Sequence, residues 1–321
     1  MTYSVQTEQS IAKLHTLIDT VDQIVIGKKE VTRHTLIAML AGGHVLFEDI
    51  PGVGKTLLIK TIAKCLEADF SRIQFTPDLI PSDIIGFSVP NMQDAQFEFR
   101  HGPLFNQIIL ADEINRTSPR TQAAMLEAMS EKQVTLDGKT HLLPDPFFVL
   151  ATQNPIDYEG TYPLPEAQLD RFLFQLSLGY PSKEQEIRML ESPDQLNSIE
   201  QLQPILSLEE FNTLKELVKS VYVNPQLLDY MIMLVDRTRN HSELRLGISP
   251  RGTQYCLAAA RGQALLSGRD YVTPQDILSI IKPLFRHRLL FVNRMTAQTI
   301  DAFIDELISQ VDIPTKIRSS K

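Results

Sequence analysis

Tryptophan is absent and cysteine occurs only twice, as Cys65 and Cys256. Two isolated cysteines in helical patterns exclude a disulfide framework. They read as small core residues of a protein kept in a reducing, cytoplasmic compartment. No uninterrupted apolar run reaches the roughly 20 residues of a membrane span, so no membrane insertion is expected. Met1 to Thr20 is polar and carries no apolar signal core. The seven histidines are scattered without ligand spacing and predict no metal site of their own. Positive charge is in deficit: 31 Lys and Arg stand against 39 Asp and Glu, a formal net charge of −8. Non-specific binding to nucleic acid rests on neutralising phosphates with Lys and Arg, so nucleic acid is not the expected partner. Internal repeats and low-complexity segments are also missing.

What remains is a chain of 321 residues, 43% apolar and 22% charged, ordinary for a globular protein and long enough for two domains. The first half alternates strand-like and helix-like segments. Residues 44–48, 71–75, 107–112, 147–152 and 173–178 are short and largely apolar, as expected for parallel strands covered on both faces by helices. Right-handed βαβ crossovers would join them. Ser118-Pro119 offers an N-cap and first helical residue for a helix carrying Ala124, Met125, Ala128 and Met129.

Two stretches exceed a minimal α/β repeat. Residues 96–100 alternate after a polar turn near Asn91 to Ala95. Asp137-Gly138 separates two further alternating runs within 132–143, a strong hairpin signal. Both read as β-hairpins inserted into the α/β unit. After Pro181 the strand signals fade. Helices are predicted to open at Ser207, Asn224-Pro225, Ser249-Pro250 and Thr273-Pro274. A last one carries the stripe Ile300, Phe303, Ile304, Leu307, Ile308 and Val311. The expected division is therefore an α/β unit over 1–180 and a smaller helical unit over 181–321.

The chemistry concentrates in Asp49-Ile50-Pro51-Gly52-Val53-Gly54-Lys55-Thr56. A glycine-rich turn between the strand at Val45-Leu46-Phe47 and a helix carrying Leu58, Ile62, Cys65 and Leu66 presents backbone N–H groups and a helix N-terminus to one point. That is a polyphosphate site. Lys55 would place its charge on the β- and γ-phosphates, and the Thr56 hydroxyl would ligate magnesium. Asp49 falls where the G-x-x-x-x-G-K-[ST] pattern has its first glycine, so its carboxylate must point away from the phosphates or be neutralised. Gln107 to Glu113 is an apolar strand ending in two carboxylates. Adjacent strand residues face opposite ways, so Asp112 and Glu113 are expected to divide the work. One would support the magnesium shell with Thr56, and the other would orient an attacking water. Asn154, after the strand at Phe147 to Thr152, would lie over the ligand crevice. Arg171 and Arg251 either supply guanidinium charge to a phosphoryl-transfer transition state or form surface ion pairs, with Asp170 an obvious partner for the former.

The ordered set resembles an AAA+ ATPase, and more narrowly the MoxR family. The carrying stretches are Pro51 to Thr56 (PGVGKT), Leu110 to Arg116 (LADEINR), Ala151 to Pro155 (ATQNP), Leu164 to Phe172 (LPEAQLDRF) and Ile248 to Gly252 (ISPRG). The resemblance implies a three-layer αβα P-loop core with a five-stranded parallel sheet and hairpin insertions, followed by an all-α lid. It implies ATP and Mg2+ as cofactors and a Walker A loop over Pro51, Gly52, Val53, Gly54, Lys55, Thr56 and Leu57. Walker B would be Asp112 and Glu113, with Glu113 the base. Asn154 would be sensor 1, Arg251 sensor 2, and Arg171 an arginine finger reaching a neighbouring subunit. Ile26 and Gly27, in the segment Ile24 to Gly27, would contact adenine, and Arg116 would face a neighbour. The hairpins resemble the helix-2 insert and pre-sensor 1 hairpin and would face partners or a pore. A finger acting in trans implies a ring, a hexamer by resemblance. The implied function is chaperone-like remodelling, assembly or metal activation of a client, with a von Willebrand factor A domain protein as one class of partner. Alternatives with similar motifs are a magnesium-chelatase-type motor subunit, a nucleic-acid motor or regulator, and a nucleotide-gated scaffold.

Overall fold

The computed structural model describes residues 3–91, 96–153, 161–191, 199–293 and 295–314. Two helices open the chain: α1 (Val5–Ile24), capped by Ser4, and α2 (Lys29–Leu40). The first half then alternates. Strand β1 is Val45–Glu48, helix α3 Lys55–Cys65, strand β2 Phe70–Gln74 and helix α4 Pro81–Ile85. Strands β3 (Gly86–Asn91) and β4 (Gln96–His101) follow, then β5 (Ile108–Asp112) and helix α5 (Pro119–Glu131). Strands β6 (Gln133–Leu136), β7 (Lys139–Leu142) and β8 (Phe148–Gln153) come next. The short helix α6 (Glu166–Leu169) leads into the last core strand, β9 (Phe174–Leu176).

β1, β2, β5, β8 and β9 form one parallel sheet in the order β2-β5-β8-β1-β9. The fold is α/β with a five-stranded parallel sheet, as expected. Side-chain alternation sorts its faces. Val45 and Phe47 of β1 pack with Leu58, Ile59 and Ile62 of α3. Leu46, Ile109, Ala111, Val149 and Ala151 pack on the other face with Met125, Leu126 and Met129 of α5. Each fully buried Leu or Ile contributes about 1.5–3 kcal/mol relative to exposure. A parallel sheet sends every strand's C-terminal end to one edge. Glu48, Asp112 and Gln153 end β1, β5 and β8 there.

Both hairpins form. β3 pairs antiparallel with β4, and β6 with β7. Asp137 and Gly138 take positive φ values of 51° and 73°, the turn that Asp-Gly favours. The hairpins touch each other: the Ser88 hydroxyl donates to Asp137 Oδ2 at 2.6 Å, and the Phe99 and His141 rings lie 4.2 Å apart. Their outer surfaces leave Phe87, Phe97 and Leu142 exposed, the last two by more than 70% (73% and 76%).

The second half is helical: α7 (Lys183–Glu191), α8 (Leu208–Ser220), α9 (Pro225–Arg239), α10 (Pro250–Leu266), α11 (Pro274–Phe285) and α12 (Ala297–Ser309). The predicted starts hold. Ser207 and Glu210 form a reciprocal capping box, Asn224 accepts from Gln226 N–H, Ser249 accepts from Gly252 N–H, and Thr273 and Asp276 cap α11. One addition interrupts the helices, a ribbon of Leu244–Leu246 paired with Leu290–Phe291. Segments of two or three residues carry no readable period. A buried arginine joins the two halves. Arg288 donates to Asp170 Oδ1 at 2.8 Å and to the carbonyls of Asp170, Phe172, Leu173 and Leu284. Cys65 and Cys256 are free and buried, and burial pushes their thiols up to about 11 and about 12.

His44 precedes β1 and is buried. Val149 N–H donates to its Nδ1 at 3.0 Å, which leaves Nε2 to donate to the Met129 carbonyl at 3.1 Å. This arrangement requires a neutral ring. Burial lowers its pKa from 6.5 to about 4, and buried His287, beside Arg288, is lowered well below 6.5. The unfolded chain therefore takes up these protons first. Stability is fully present above about pH 6.5 and declines as pH falls toward 4, by up to about 1.4 kcal/mol per pH unit for each ring. Urea unfolding between pH 7 and 5 should show this slope, and His44→Gln should remove about one proton's worth. An unchanged slope would place the proton uptake elsewhere.

Candidate nucleotide site

The C-terminal edge of the sheet opens into a cavity of about 440 Å3 lined by the phosphate-loop residues and by the ends of β2, β5 and β8. The loop is shaped by glycine. Gly52 and Gly54 take φ values of +83° and +100°, and Gly54 caps α3 in the left-handed region. A β-carbon is strained there, so glycine is required for the N–H groups of the loop and the first turn of α3 to converge. Pro51, Gly52, Gly54, Lys55, Thr56 and Leu57 line the cavity; Val53 instead packs partly buried against the core. Lys55 Nζ donates to the carbonyls of Asp49 and Ile50, each at 3.2 Å. Burial pushes its ammonium pKa down, opposed by the charges of Asp49, Asp112 and Glu113.

Asp49 turns away from the loop, as its position demands. Its carboxylate accepts from the Ser177 hydroxyl at 2.8 Å and from the N–H groups of Leu178 and Gly179.

Asp112 and Glu113 both line the one cavity. The expectation that neighbouring residues must face apart fails because the strand stops at Asp112. Glu113 has φ 58° and ψ 47°, a left-handed turn rather than extended backbone. A non-glycine residue held there is strained, a condition that clusters at functional sites. The two carboxylates are separately anchored. Asp112 Oδ2 accepts from Arg72 at 2.6 Å and its Oδ1 from the Thr152 hydroxyl at 2.6 Å. Glu113 Oε2 accepts from Gln74 Nε2 at 2.9 Å and lies 3.3 Å from Arg116 Nε. The Thr152 hydroxyl also accepts from Glu113 N–H at 2.8 Å.

Arg72, Gln74, Thr152 and Lys60 are cavity residues that sequence reasoning missed. The signal for the first two was alternation. Arg72 and Gln74 are two apart and share a face, a polar pair inside the segment 71–75 whose composition is otherwise that of a covered strand. β2 lies at the edge of the sheet, where one face can stay polar. Thr152 stood inside the quoted ATQNP stretch without a role.

Other predicted residues lie elsewhere. Ile26 and Gly27 form the α1–α2 turn outside the cavity lining; a side-chain carbon built on Gly54 would sit 3.7 Å from neighbouring Val25. Arg171 donates to the Leu126 carbonyl and to Ser130 Oγ on α5, not into the cavity. Its expected partner Asp170 is taken by Arg288 and Ser249. Arg251, near the start of α10, is exposed and outside the lining. Asn154 lies outside the described residues.

Chemically, the cavity offers converging N–H groups and Lys55 for an anion, one hydroxyl and one carboxylate (Thr56 and Asp112) for a hard cation, and a second carboxylate held apart. Among the described residues no group of three or more His, Cys, Asp or Glu can hold a metal alone.

Comparison with known proteins agrees. Residues 44–174 match the ATPase family associated with various cellular activities (AAA), and residues 236–307 match the AAA lid domain. The chain is 42% identical over 318 residues to Chaperone MoxR1 of Mycobacterium tuberculosis, covering 94% of this chain and 81% of that one. This chain belongs to the MoxR family of AAA+ ATPases. YeaC of Bacillus subtilis is 47% identical over 301 residues, covering 93% and 94% of the two chains. The crystal structure of a candidate ATPase from Cytophaga hutchinsonii superposes on this MoxR-family ATPase with a TM-score of 0.88, at 37% identity over 97% of each chain.

Thr152, 2% exposed, supports the Asp112 carboxylate and the backbone N–H of Glu113. Thr152→Val keeps the shape but leaves the half-buried Glu113 N–H and one Asp112 oxygen without this partner. It should lower stability by about 1–3 kcal/mol, while Thr152→Ser should restore most of it. Chemical denaturation of the three proteins checks this; equal midpoints for valine and threonine would refute it.

Proposed function

We propose that this MoxR-family ATPase hydrolyses Mg·ATP as part of a ring and uses the cycle to remodel, assemble or activate a client protein. The observation that carries the reading is one cavity that joins a phosphate loop to two separately anchored carboxylates. In this reading Pro51 to Leu57 is the Walker A loop and Lys55 contacts the β- and γ-phosphates. Thr56 and Asp112 hold Mg2+, which neutralises developing phosphate charge when bound. Glu113 orients and activates the attacking water. Asn154 would align that water, and Ile26 and Gly27 would meet the base. Because Arg72 grips Asp112, this arginine would shift when a metal-bound nucleotide enters.

Arg171 supports the trans reading by its direction. Its guanidinium rests on α5 rather than in its own cavity, so it would serve a neighbour's. Arg251 would add charge in the assembled state. Such a ring, six-membered by resemblance, would present the hairpin residues Phe87, Phe97 and Leu142 to a client, with a von Willebrand factor A domain protein one candidate. We divide the chain into a core over 1–180 and a lid over 181–321, acting in the cytoplasm. Among the described residues no helix is long and apolar enough to cross a membrane.

The test is steady-state ATP hydrolysis against protein concentration. The rate per subunit should rise with concentration. Glu113→Gln should bind ATP yet lose nearly all turnover, and Arg171→Ala should lose about 10³-fold or more. Mixing the two variants should restore part of the activity. A flat rate per subunit with only monomers by light scattering would sink the ring, and absent rescue despite proven co-assembly would sink the trans role of Arg171.

A further inference from the structure

The segment Ser177 to Gly179 leaves the last core strand β9 and leads within a few residues to α7. It is held from two sides by buried ions. From the phosphate-loop side, the Asp49 carboxylate takes the Ser177 hydroxyl and the N–H groups of Leu178 and Gly179. From the α1–α2 turn, Lys28 Nζ donates to the carbonyls of the same two residues, Leu178 at 2.6 Å and Gly179 at 3.3 Å. Asp49 is 6% exposed and Lys28 8%. Burying two charges is expensive unless hydrogen bonds compensate, and here most of the recorded bonds of both side chains go to one three-residue segment.

That segment is built to turn. Gly179 has φ +61°, and a β-carbon there would meet nothing within 4 Å. Just beyond it, Gln185 of α7 lies against Gly27, whose β-carbon would collide with the Gln185 amide. Ser182 N–H donates to Gln185 Oε1 at 2.9 Å, which fixes this amide at the start of the helix. Asp49 is engaged at both ends. Its carboxylate holds the segment, and its own carbonyl accepts from Lys55 Nζ. When Lys55 turns to a phosphate, the carbonyls of Asp49 and Ile50 lose a donor, and the start of the loop must readjust.

We propose that Asp49 and Lys28 are positioning residues that clamp Ser177 to Gly179 between the phosphate loop and the α1–α2 turn, so that nucleotide in the loop is transmitted to the placement of α7. The inference rests on the nucleotide reading above and extends it to a part of the chain that lines no part of the cavity. It also gives the aspartate that replaces the usual glycine a task of its own. A glycine at position 49 would cut the loop's tie to Ser177, Leu178 and Gly179.

The experiment is hydrogen exchange of the full-length protein over residues 178–191, with and without ATPγS, alongside binding of a fluorescent ATP analogue. In the wild type, nucleotide should slow exchange over this segment by about tenfold, the size of an ordinary coupling between two sites. Lys28→Met should still bind the analogue, and in both Lys28→Met and Asp49→Gly exchange over 178–191 should be fast and indifferent to ATPγS. Asp49→Asn, which keeps one acceptor oxygen, should respond partially. Two results overturn the clamp: analogue binding with no change of exchange in the wild type, or the full wild-type response in both Lys28→Met and Asp49→Gly. Failure of the wild type to bind the analogue at all would instead overturn the nucleotide reading, and the clamp with it.

Discussion

A single buried guanidinium sets the relation between the two halves of this molecule. Arg288 is nearly inaccessible and is stripped of water on every side. It is tolerable only because Asp170 balances its charge and four backbone carbonyls accept hydrogen bonds from its N–H groups. Removing one partner of such a buried pair costs about 3–5 kcal/mol, far more than a surface ion pair. The geometry is demanding. Three of those carbonyls belong to residues 170–173, the approach to β9. Tyr255 adds a bond to the Arg171 carbonyl, and His287 Nε2 lies 3.0 Å from that of Phe172. The backbone around Arg171 is thus fixed by the helical half, although it lies in the sequence of the first half.

The cavity follows a different logic. Its negative charges are close together, and each is given its own donors. Asp112 receives a guanidinium and a hydroxyl, and Glu113 a carboxamide and a more distant guanidinium. The division is made by backbone geometry, because the left-handed turn at Glu113 ends the strand and lets both side chains enter one space. β2, at the sheet edge, supplies Arg72 and Gln74 from one face. The phosphate loop supplies opposite charge through Lys55, whose ammonium is half-buried and steadied by three carboxylates.

Much of this was legible in the residues. Short, largely apolar runs located all five core strands, because strands covered on both faces leave little room for polar side chains; β2, with one polar face, is the exception. Asp137-Gly138 announced its hairpin through the positive φ values that few residue pairs accept. Helix starts at Ser118, Ser207, Asn224, Ser249 and Thr273 were readable because unsatisfied N–H groups select a short list of caps. The illegible parts are those decided at long range. Asp49 finds its main partners some 128 residues further on, and no local pattern encodes that. Arg72 and Gln74 become cavity residues only because β2 is an edge strand. The Leu244–Leu246 ribbon is too short to have a period. Arg171 lost its sequence neighbour Asp170 to an arginine 118 residues away.

The apolar interior on one side of the sheet does not stop at the end of the α/β half. From Leu14 and Leu17 of α1, through Ile37 of α2 and Ile62 of α3, it continues without a break into Phe211, Tyr230, Ile277 and Ile304. Helices from the first 40 residues are therefore roofed by helices from the last 120, and neither group closes its own core. Pulling the two groups of helices apart would expose apolar surface on both, so each stabilises the other.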